Sequence, residues 1–217
     1  MEQSGDEQMQ PKKHNLQRYA FPLIVLALCA GMGAYLLLSQ MKKPELPVLA
    51  QGTEFSYADM NGETVTLSGT NGKVRLLYFF FANCPDVCPP TTFLMSQVQE
   101  ELKQDGLFGD KVQFLSVTID PDHDTPAVLK EYAQRFHADR QGWKFLWGDE
   151  KATAELARKY LTDVGKDKDG NYWHMNLIIL LDEDGQIRDL ISAQNYIEPG
   201  PKQLKPSAMA DKIKSLL

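Results

Sequence analysis

One long apolar stretch dominates the hydrophobicity pattern near the N-terminus. No Asp, Glu, Lys or Arg lies between Arg18 and Lys42, and Tyr19 to Leu38 is apolar throughout. Such a run is long enough to cross the roughly 30 Å hydrocarbon core of a bilayer as one helix. We therefore expect a cytoplasmic tail over residues 1–18, a transmembrane anchor over 19–41, a linker over 42–50 and a working domain over 51–217.

The anchor also predicts where the working domain lies. The tail is too short and polar to fold, and an N-terminal anchor normally delivers the following domain outside the cytoplasm. We expect a single-pass protein of the bacterial cell membrane with its C-terminal domain on the extracytoplasmic side. The alternative is a lipoprotein modified on Cys29. Leu26-Ala27-Leu28 before that cysteine and nine apolar residues after it favour the uncleaved anchor.

The working domain alternates between strand-like and helix-like patterns. Residues 55–60 and 63–67 flank Asn61-Gly62, a strong hairpin signal. Val74 to Phe81 is almost continuously apolar, as in a central strand covered on both faces. The later pattern predicts a helix over 91–103, a strand over 112–119, a helix after Thr125-Pro126, a strand over 144–147, a helix from Asp149 through Leu161, a polar loop over 165–171, a hairpin of 177–181 with 187–191, and a helix after Pro206. This order predicts an α/β sandwich with a mixed central sheet.

Composition narrows the classes of function. Hydrophobic residues make up 43% of the chain, enough to fill a core. The formal charge of −6 and the lack of a Lys/Arg stripe argue against nucleic acid as a partner. With only three cysteines, the chain is not a disulfide-stapled scaffold, so we expect the cysteines to serve local chemistry.

Two of these cysteines follow the apolar strand directly. Cys84 and Cys88 lie between that strand and the next helix, where open α/β sheets place their ligand sites. Their spacing brings the two thiols together if Cys88 begins the helix, and the helix dipole there lowers a thiol pKa. We expect an exposed pair with low pKa values, suited either to Cu(I) or to a disulfide.

A closed metal sphere needs a further ligand, for which four histidines are available. His14 precedes the anchor, His137 ends a predicted helix, and His123 lies in an acidic turn, so we interpret these three as solvated or capping residues. His174 leads straight into the apolar strand at 177–181, at a sheet end where loops converge. Its position in the sequence does not decide whether His174 is a metal ligand or an ordinary surface residue.

These segments resemble the SCO/SenC family of membrane-anchored, thioredoxin-like proteins involved in cytochrome c oxidase assembly. FFFANCPDVCPPT (79–91) resembles the family's Cys-Pro-x-x-Cys-Pro copper motif. SVTIDPDHDTPAVLKEYAQRF (116–136) resembles its Asp-Pro-x-x-Asp-Thr-Pro segment, and a histidine before an apolar strand and an Asp-x-x-Gly turn completes the set. The resemblance covers most of the chain from about Gly52 to Leu217. It implies a thioredoxin-like fold with an N-terminal β-hairpin extension.

The same resemblance implies the site. Cys84, Cys88 and His174 would bind one copper ion, as Cu(I) or Cu(II). Asp120 would either organise its loop or contact the ligands from outside the coordination sphere. Met175 departs from the family, which usually has a small hydroxyl residue after the ligand histidine.

The function implied is that of a copper metallochaperone, not an enzyme, that passes its ion to the Cu(A) centre of cytochrome c oxidase subunit II. We expect His174 to join or leave the metal on a mobile loop during this transfer, because the preceding segment over 165–171 is rich in Gly, Lys and Asp. Other copper chaperones and thioredoxin-like reductants are further expected partners. The alternative is a thiol-disulfide oxidoreductase or redox sensor that reduces the Cu(A) cysteines of the oxidase. A peroxidase is disfavoured because Phe81 and Pro85, not threonine, lie three residues before the two cysteines.

Overall fold

The computed structural model describes residues 15–41 and 46–217, with side chains over 21–35 and 46–217. The chain divides into two compact units, Met1–Pro44 and Glu45–Leu217. The first unit contains helix α1 (Asn15–Met41).

The N-terminal predictions fall partly outside this description. Within the part of the chain that the structure describes, no helix combines enough length and apolar character to cross a membrane. The anchor predicted over residues 19–41 therefore stays a prediction. Residues 1–14 of the predicted tail, with His14, and residues 42–45 of the predicted linker lie outside the described residues.

The second unit is built on a mixed sheet. Its strands are β1 (Ala50–Gln51), β2 (Ser56–Asp59), β3 (Thr64–Thr66), β4 (Val74–Phe80), β5 (Val112–Thr118), β6 (Trp143–Trp147), β7 (Val164–Lys166), β8 (Tyr172–His174), β9 (Leu177–Leu181) and β10 (Gln186–Ser192). Eight of them form one sheet in the order β1-β10-β9-β4-β5-β6-β2-β3, and β7 pairs with β8 separately. Strands β4, β5 and β6 are parallel, whereas β9 runs antiparallel to β4. The predicted mixed sheet and the N-terminal hairpin of β2 and β3 are confirmed.

Helices cross between the parallel strands, as parallel pairing requires. The helices after α1 are α2 (Cys88–Gln104), α3 (Pro126–Arg135), α4 (Glu150–Lys159), α5 (Gln194–Ile197) and α6 (Pro206–Lys214), with a short 3-10 turn at Ser68–Thr70. Helix α2 connects β4 to β5, and α3 connects β5 to β6. The turn that leads into α2 therefore lies at the carboxyl end of a central strand.

Strand β4 is the centre of this arrangement, and all seven of its residues are buried. Consecutive side chains of a strand point to opposite faces. Phe79 packs against the Tyr160 ring at the end of α4, and Phe80 packs against Tyr132 of α3 at 5.2 Å between ring centroids. The sheet is thus covered on both faces, as the apolar run predicts.

Two segments differ from the sequence-based prediction. Helix α2 begins at Cys88, three residues before the predicted start at position 91, because Pro89 and Pro90 occupy its first turn, where no backbone N–H is needed. Residues 165–171, predicted as a loop, belong largely to the β7–β8 hairpin. Its turn is closed by Asp167, whose side chain accepts the backbone N–H groups of Asp169 and Asn171. Strands β7 and β8 are too short and polar to show a hydrophobic period.

The N-cap of α4 gives a stability prediction. The Asp149 side chain accepts the Ala152 N–H at 2.8 Å, and Asp149→Ala leaves that donor without its partner. We expect Asp149→Ala to lower the free energy of unfolding by about 1 kcal/mol. Asp149→Asn should be nearly neutral, because asparagine caps equally well. Urea unfolding monitored by circular dichroism measures both; equal losses in the two variants would contradict the capping role.

Candidate metal centre

Three potential metal ligands meet beyond the carboxyl end of β4. The sulfurs of Cys84 and Cys88 and a ring nitrogen of His174 lie within 4.8 Å of one another. Cys88 Sγ is 3.0 Å from His174 Nε2. Among the described residues, no other group of three His, Cys, Asp or Glu side chains could hold a metal ion.

Local backbone structure places the two sulfurs. The Cys84 N–H donates to the Phe81 carbonyl at 3.3 Å, which closes a tight turn directly after β4. Cys88 is the first residue of α2, and the Thr91 N–H donates back to the Val87 carbonyl at 3.2 Å. The turn and the first helical turn therefore carry one sulfur each, four residues apart, toward the same space.

His174 comes from the separate β7–β8 hairpin, where it pairs with Val164. Its Nδ1 lies 3.2 Å from the Met175 carbonyl oxygen, an acceptor that requires a proton on Nδ1. This hydrogen bond leaves the lone pair on Nε2, which faces Cys88. Tyr78 and Phe81 pack edge-on against the imidazole at 5.9 and 6.1 Å and fix the plane of the ring. The nitrogen able to bind a metal is thus directed at the sulfurs.

Met175 supports this geometry through its backbone. Its N–H donates to the backbone carbonyl of Asp163 at 3.0 Å. Its carbonyl accepts from the Leu177 N–H at 2.8 Å and from His174 Nδ1. Its side chain is 48% exposed. Because the backbone makes these contacts, a methionine can replace the small hydroxyl residue that the resemblance implies. The same bonds hold His174 more firmly than the expected mobile loop would.

The two thiols are unequal. A hydrogen bond from Cys88, opposed by burial, lowers the pKa of Cys84 to about 3. Burial raises the pKa of Cys88 far above its ordinary value. One proton is therefore held on Cys88, where it faces two acceptors, the Cys84 thiolate and His174 Nε2.

The expectation of an exposed pair with two low pKa values is therefore wrong. Cys84 is only 8% exposed and Cys88 is fully buried. For Cys88, the loss of hydration of a thiolate outweighs the favourable helix dipole. Sequence spacing reveals the dipole but not the depth of burial.

A buried polar network lies against the site. The Tyr78 hydroxyl and the Thr91 hydroxyl both donate to Asn176 Oδ1, each at 3.1 Å. Burial raises the pKa of Tyr78 well above its ordinary value. The Asn176 amide nitrogen is buried without a partner. Sequence reasoning missed these three residues, whose only signal is polar groups at positions where the pattern predicts a core.

The Asp120 loop borders the site. His123 Nδ1 lies 2.8 Å from an Asp120 carboxylate oxygen, and this hydrogen bond raises the pKa of His123. Asp124 accepts the Ala82 N–H at 2.9 Å, which ties this loop to the cysteine turn. Asp120 and His123 line an open cleft together with residues around Cys84. His123 and His137 are outside the three-ligand group.

Comparison with known proteins indicates the family of the chain. The SCO1/SenC family profile matches residues 44–216. A SCO2-like protein of Rickettsia felis is 33% identical over 200 residues, which span 84% of this chain and 92% of that protein.

Solved structures give the same result. A SCO1/SenC family lipoprotein from Bacillus anthracis has a TM-score of 0.68 at 28% identity, covering 78% of this chain and 96% of that chain. Bradyrhizobium japonicum ScoI with copper bound has a TM-score of 0.62 at 32% identity, covering 77% and 100%. BsSco, described as a member of the Sco family of cytochrome c oxidase assembly proteins with a disulfide switch, has a TM-score of 0.67 at 26% identity, covering 79% and 96%. The mixed α/β fold is thus the thioredoxin-like fold of Sco proteins, and the chain belongs to the SCO1/SenC family.

Proposed function

We propose that this protein is a copper metallochaperone for the Cu(A) centre of cytochrome c oxidase subunit II, and that Cys84, Cys88 and His174 bind one copper ion. The observation that carries the proposal is the convergence of their three donor atoms within 4.8 Å. Two sulfurs and an imidazole form a donor set suited to copper, and thiolates favour Cu(I) in particular.

The three ligand side chains of the metal-free site differ in whether they must lose a proton before they bind copper. Cys84 is already a thiolate at neutral pH, because its pKa is lowered to about 3. His174 Nε2 is the ring nitrogen that faces the sulfurs, because Nδ1 is engaged by the Met175 carbonyl. Cys88 must release one proton when copper binds, so binding competes with protonation of a single group.

The different burial of the three ligands also determines the side from which copper is transferred to an acceptor protein. Cys88 is fully buried, whereas Cys84 and His174 lie nearer the surface. A ligand of an acceptor protein therefore approaches from the side of Cys84 and His174, and Cys88 is the last ligand to release the ion.

Several comparisons support this function. One similar structure holds copper, and another belongs to an oxidase assembly protein. We extend the proposal to the cell: residues 19–41 anchor the protein in the bacterial membrane, and residues 51–217 lie on the extracytoplasmic side. The alternative, a lipid attached to Cys29, draws support from the similar Bacillus anthracis lipoprotein.

The second candidate function is thiol-disulfide exchange, favoured by the unequal protonation of the two cysteines. The Cys84 thiolate would attack a partner disulfide, forming a mixed disulfide and releasing one partner thiolate. Cys88, after losing its proton to solvent, would then attack Cys84. That step releases the second partner thiolate and leaves a Cys84–Cys88 disulfide, so the partner gains the two electrons that the pair loses.

Copper affinity separates the two candidates. We expect the reduced wild-type protein to bind one equivalent of Cu(I). Cys84→Ser and His174→Ala should each weaken binding by more than about a hundredfold, since loss of an outer partner alone costs about 10–100-fold. His137→Ala is the matched control, because His137 is exposed and outside the group. Competition with a Cu(I) chelator measures these affinities.

Opposite results would reverse the assignment. If the wild type binds copper no better than His174→Ala, the copper function fails. Disulfide exchange then becomes the better account, because that chemistry needs no distal imidazole.

The unequal thiols predict an unusual reactivity. In a Cys29→Ser background, alkylation of Cys84 should vary little between pH 5 and pH 8, because a pKa of about 3 keeps it a thiolate throughout. An ordinary thiol would react about tenfold faster per pH unit in this range. Cys88→Ala removes the main cause of the lowered pKa, so the ordinary pH dependence should return. Mass spectrometry of iodoacetamide adducts measures the rates. If the wild-type rate at Cys84 rises steeply with pH, the proposed difference between the two pKa values is wrong.

A further inference from the structure

A histidine outside the three-ligand group has the features of a metal ligand. His123 lies in the turn between β5 and α3, and its side chain is 77% exposed. Its Nδ1 lies 2.8 Å from one Asp120 carboxylate oxygen and 2.9 Å from the other. A carboxylate only accepts hydrogen bonds, so Nδ1 carries the proton of this contact. The second ring nitrogen, Nε2, is therefore the one that can bind a metal.

The pairing of His123 with Asp120 is the usual arrangement around a metal-binding histidine. A ligating imidazole almost always donates its other N–H to a carboxylate or a backbone carbonyl, which fixes the tautomer and the orientation of the ring. His174 has the Met175 carbonyl for this purpose, and His123 has Asp120, which is only 4% exposed. The buried carboxylate thus anchors an exposed ring.

A cleft beside the metal centre connects His123 with the outer ligands. The cleft has a volume of about 550 Å³, and His123 is one of the residues that line it. Asn83 and Pro85, the two neighbours of Cys84 in the chain, also line it, as does Tyr172 of the β7–β8 hairpin. A copper ion that passes through this cleft between the metal centre and a second protein meets His123 on the way.

Hydrogen bonds hold the turn of His123 in place relative to the cysteine turn. The Asp124 carboxylate accepts the Ala82 N–H at 2.9 Å, and the Asp124 N–H donates to the Asp120 carbonyl at 2.9 Å. The Asp120 N–H donates to Thr118 Oγ1 at 3.1 Å. Because these bonds join the turn to the ends of β4 and β5, binding at His123 does not require the ordering of a mobile loop.

We propose that His123 is a transit ligand, a side chain that binds copper only while the ion moves between the metal centre and a second protein. One imidazole offers too few donors to keep the ion, and His123 is outside the three-ligand group. The bond from Nε2 to copper forms as a bond from Cys84 or His174 to copper breaks, and the oxidation state of the ion does not change. This inference rests on the proposed copper function.

The test measures rates and affinity separately in the full-length protein, at about pH 8. A ligand used only in transit changes the rates of loading and release equally, because the free energies of the two end states stay the same. We expect His123→Asn to slow both rates by about tenfold, the lower end of the range for loss of a group around a metal site. The dissociation constant for Cu(I) should be unchanged. Stopped-flow mixing follows loading from a Cu(I)–chelator complex and removal by excess chelator.

Two variants separate this role from a general effect of histidine or of charge. His137→Asn is the matched control, because His137 is exposed and its backbone φ of 52° is one that asparagine tolerates. Neither rate should change in that variant. Asp122→Asn removes a negative charge from the turn of His123 but no imidazole. Both rates should change by no more than about twofold there, because salt screens a single exposed charge.

Three results would overturn the inference while the copper function stands. They are unchanged rates in His123→Asn, an equal slowing in Asp122→Asn, and a weaker equilibrium affinity in His123→Asn, which would make His123 part of the metal centre itself. If the wild type binds no copper, the proposed function fails first, and this inference with it.

Discussion

Burial of the Cys88 sulfur is the constraint on which the site depends. This sulfur begins α2 with no exposed surface, so a negative charge there lacks hydration and the proton stays on Cys88. The charge of the pair is thereby placed on Cys84, nearer to the surface. The same burial brings Cys88 within 3.0 Å of His174 Nε2. A metal ion that replaces the proton would neutralise the negative charge on the buried sulfur. The same ion would join all three side chains.

The fold creates this burial from elements that are stable for other reasons. Strand β4 is covered on both faces and ends at the cysteine turn, and two prolines begin α2 immediately after Cys88. The β7–β8 hairpin delivers His174 from the other side. Asn176, just before β9, receives hydrogen bonds from β4 and α2 and so links all three parts of the site. The ligands are therefore held by the core rather than by a flexible loop.

The sequence predicts the parts of this arrangement that are local. The apolar run of β4, the Asn-Gly hairpin and the Asp149 cap each depend on neighbouring residues, and each is found as predicted. The three ligand candidates could be selected because cysteine spacing and the family resemblance pointed to them.

What could not be predicted depends on tertiary contacts. The split between the pKa values of Cys84 and Cys88 follows from burial, which hydrophobic patterning does not resolve for single atoms. The polar contact between Tyr78 and Asn176 joins two segments that are far apart in the chain. Periodicity also has no means of detecting strands of three residues, such as β7 and β8.

X-ray absorption spectroscopy of the copper-loaded protein tests the central claim most directly, because it identifies the atoms bound to the metal. The account predicts two sulfur donors and one imidazole nitrogen for each Cu(I) ion, with the nitrogen lost in His174→Ala. A spectrum with sulfur donors alone, or one that is unchanged in His174→Ala, would contradict the three-ligand site.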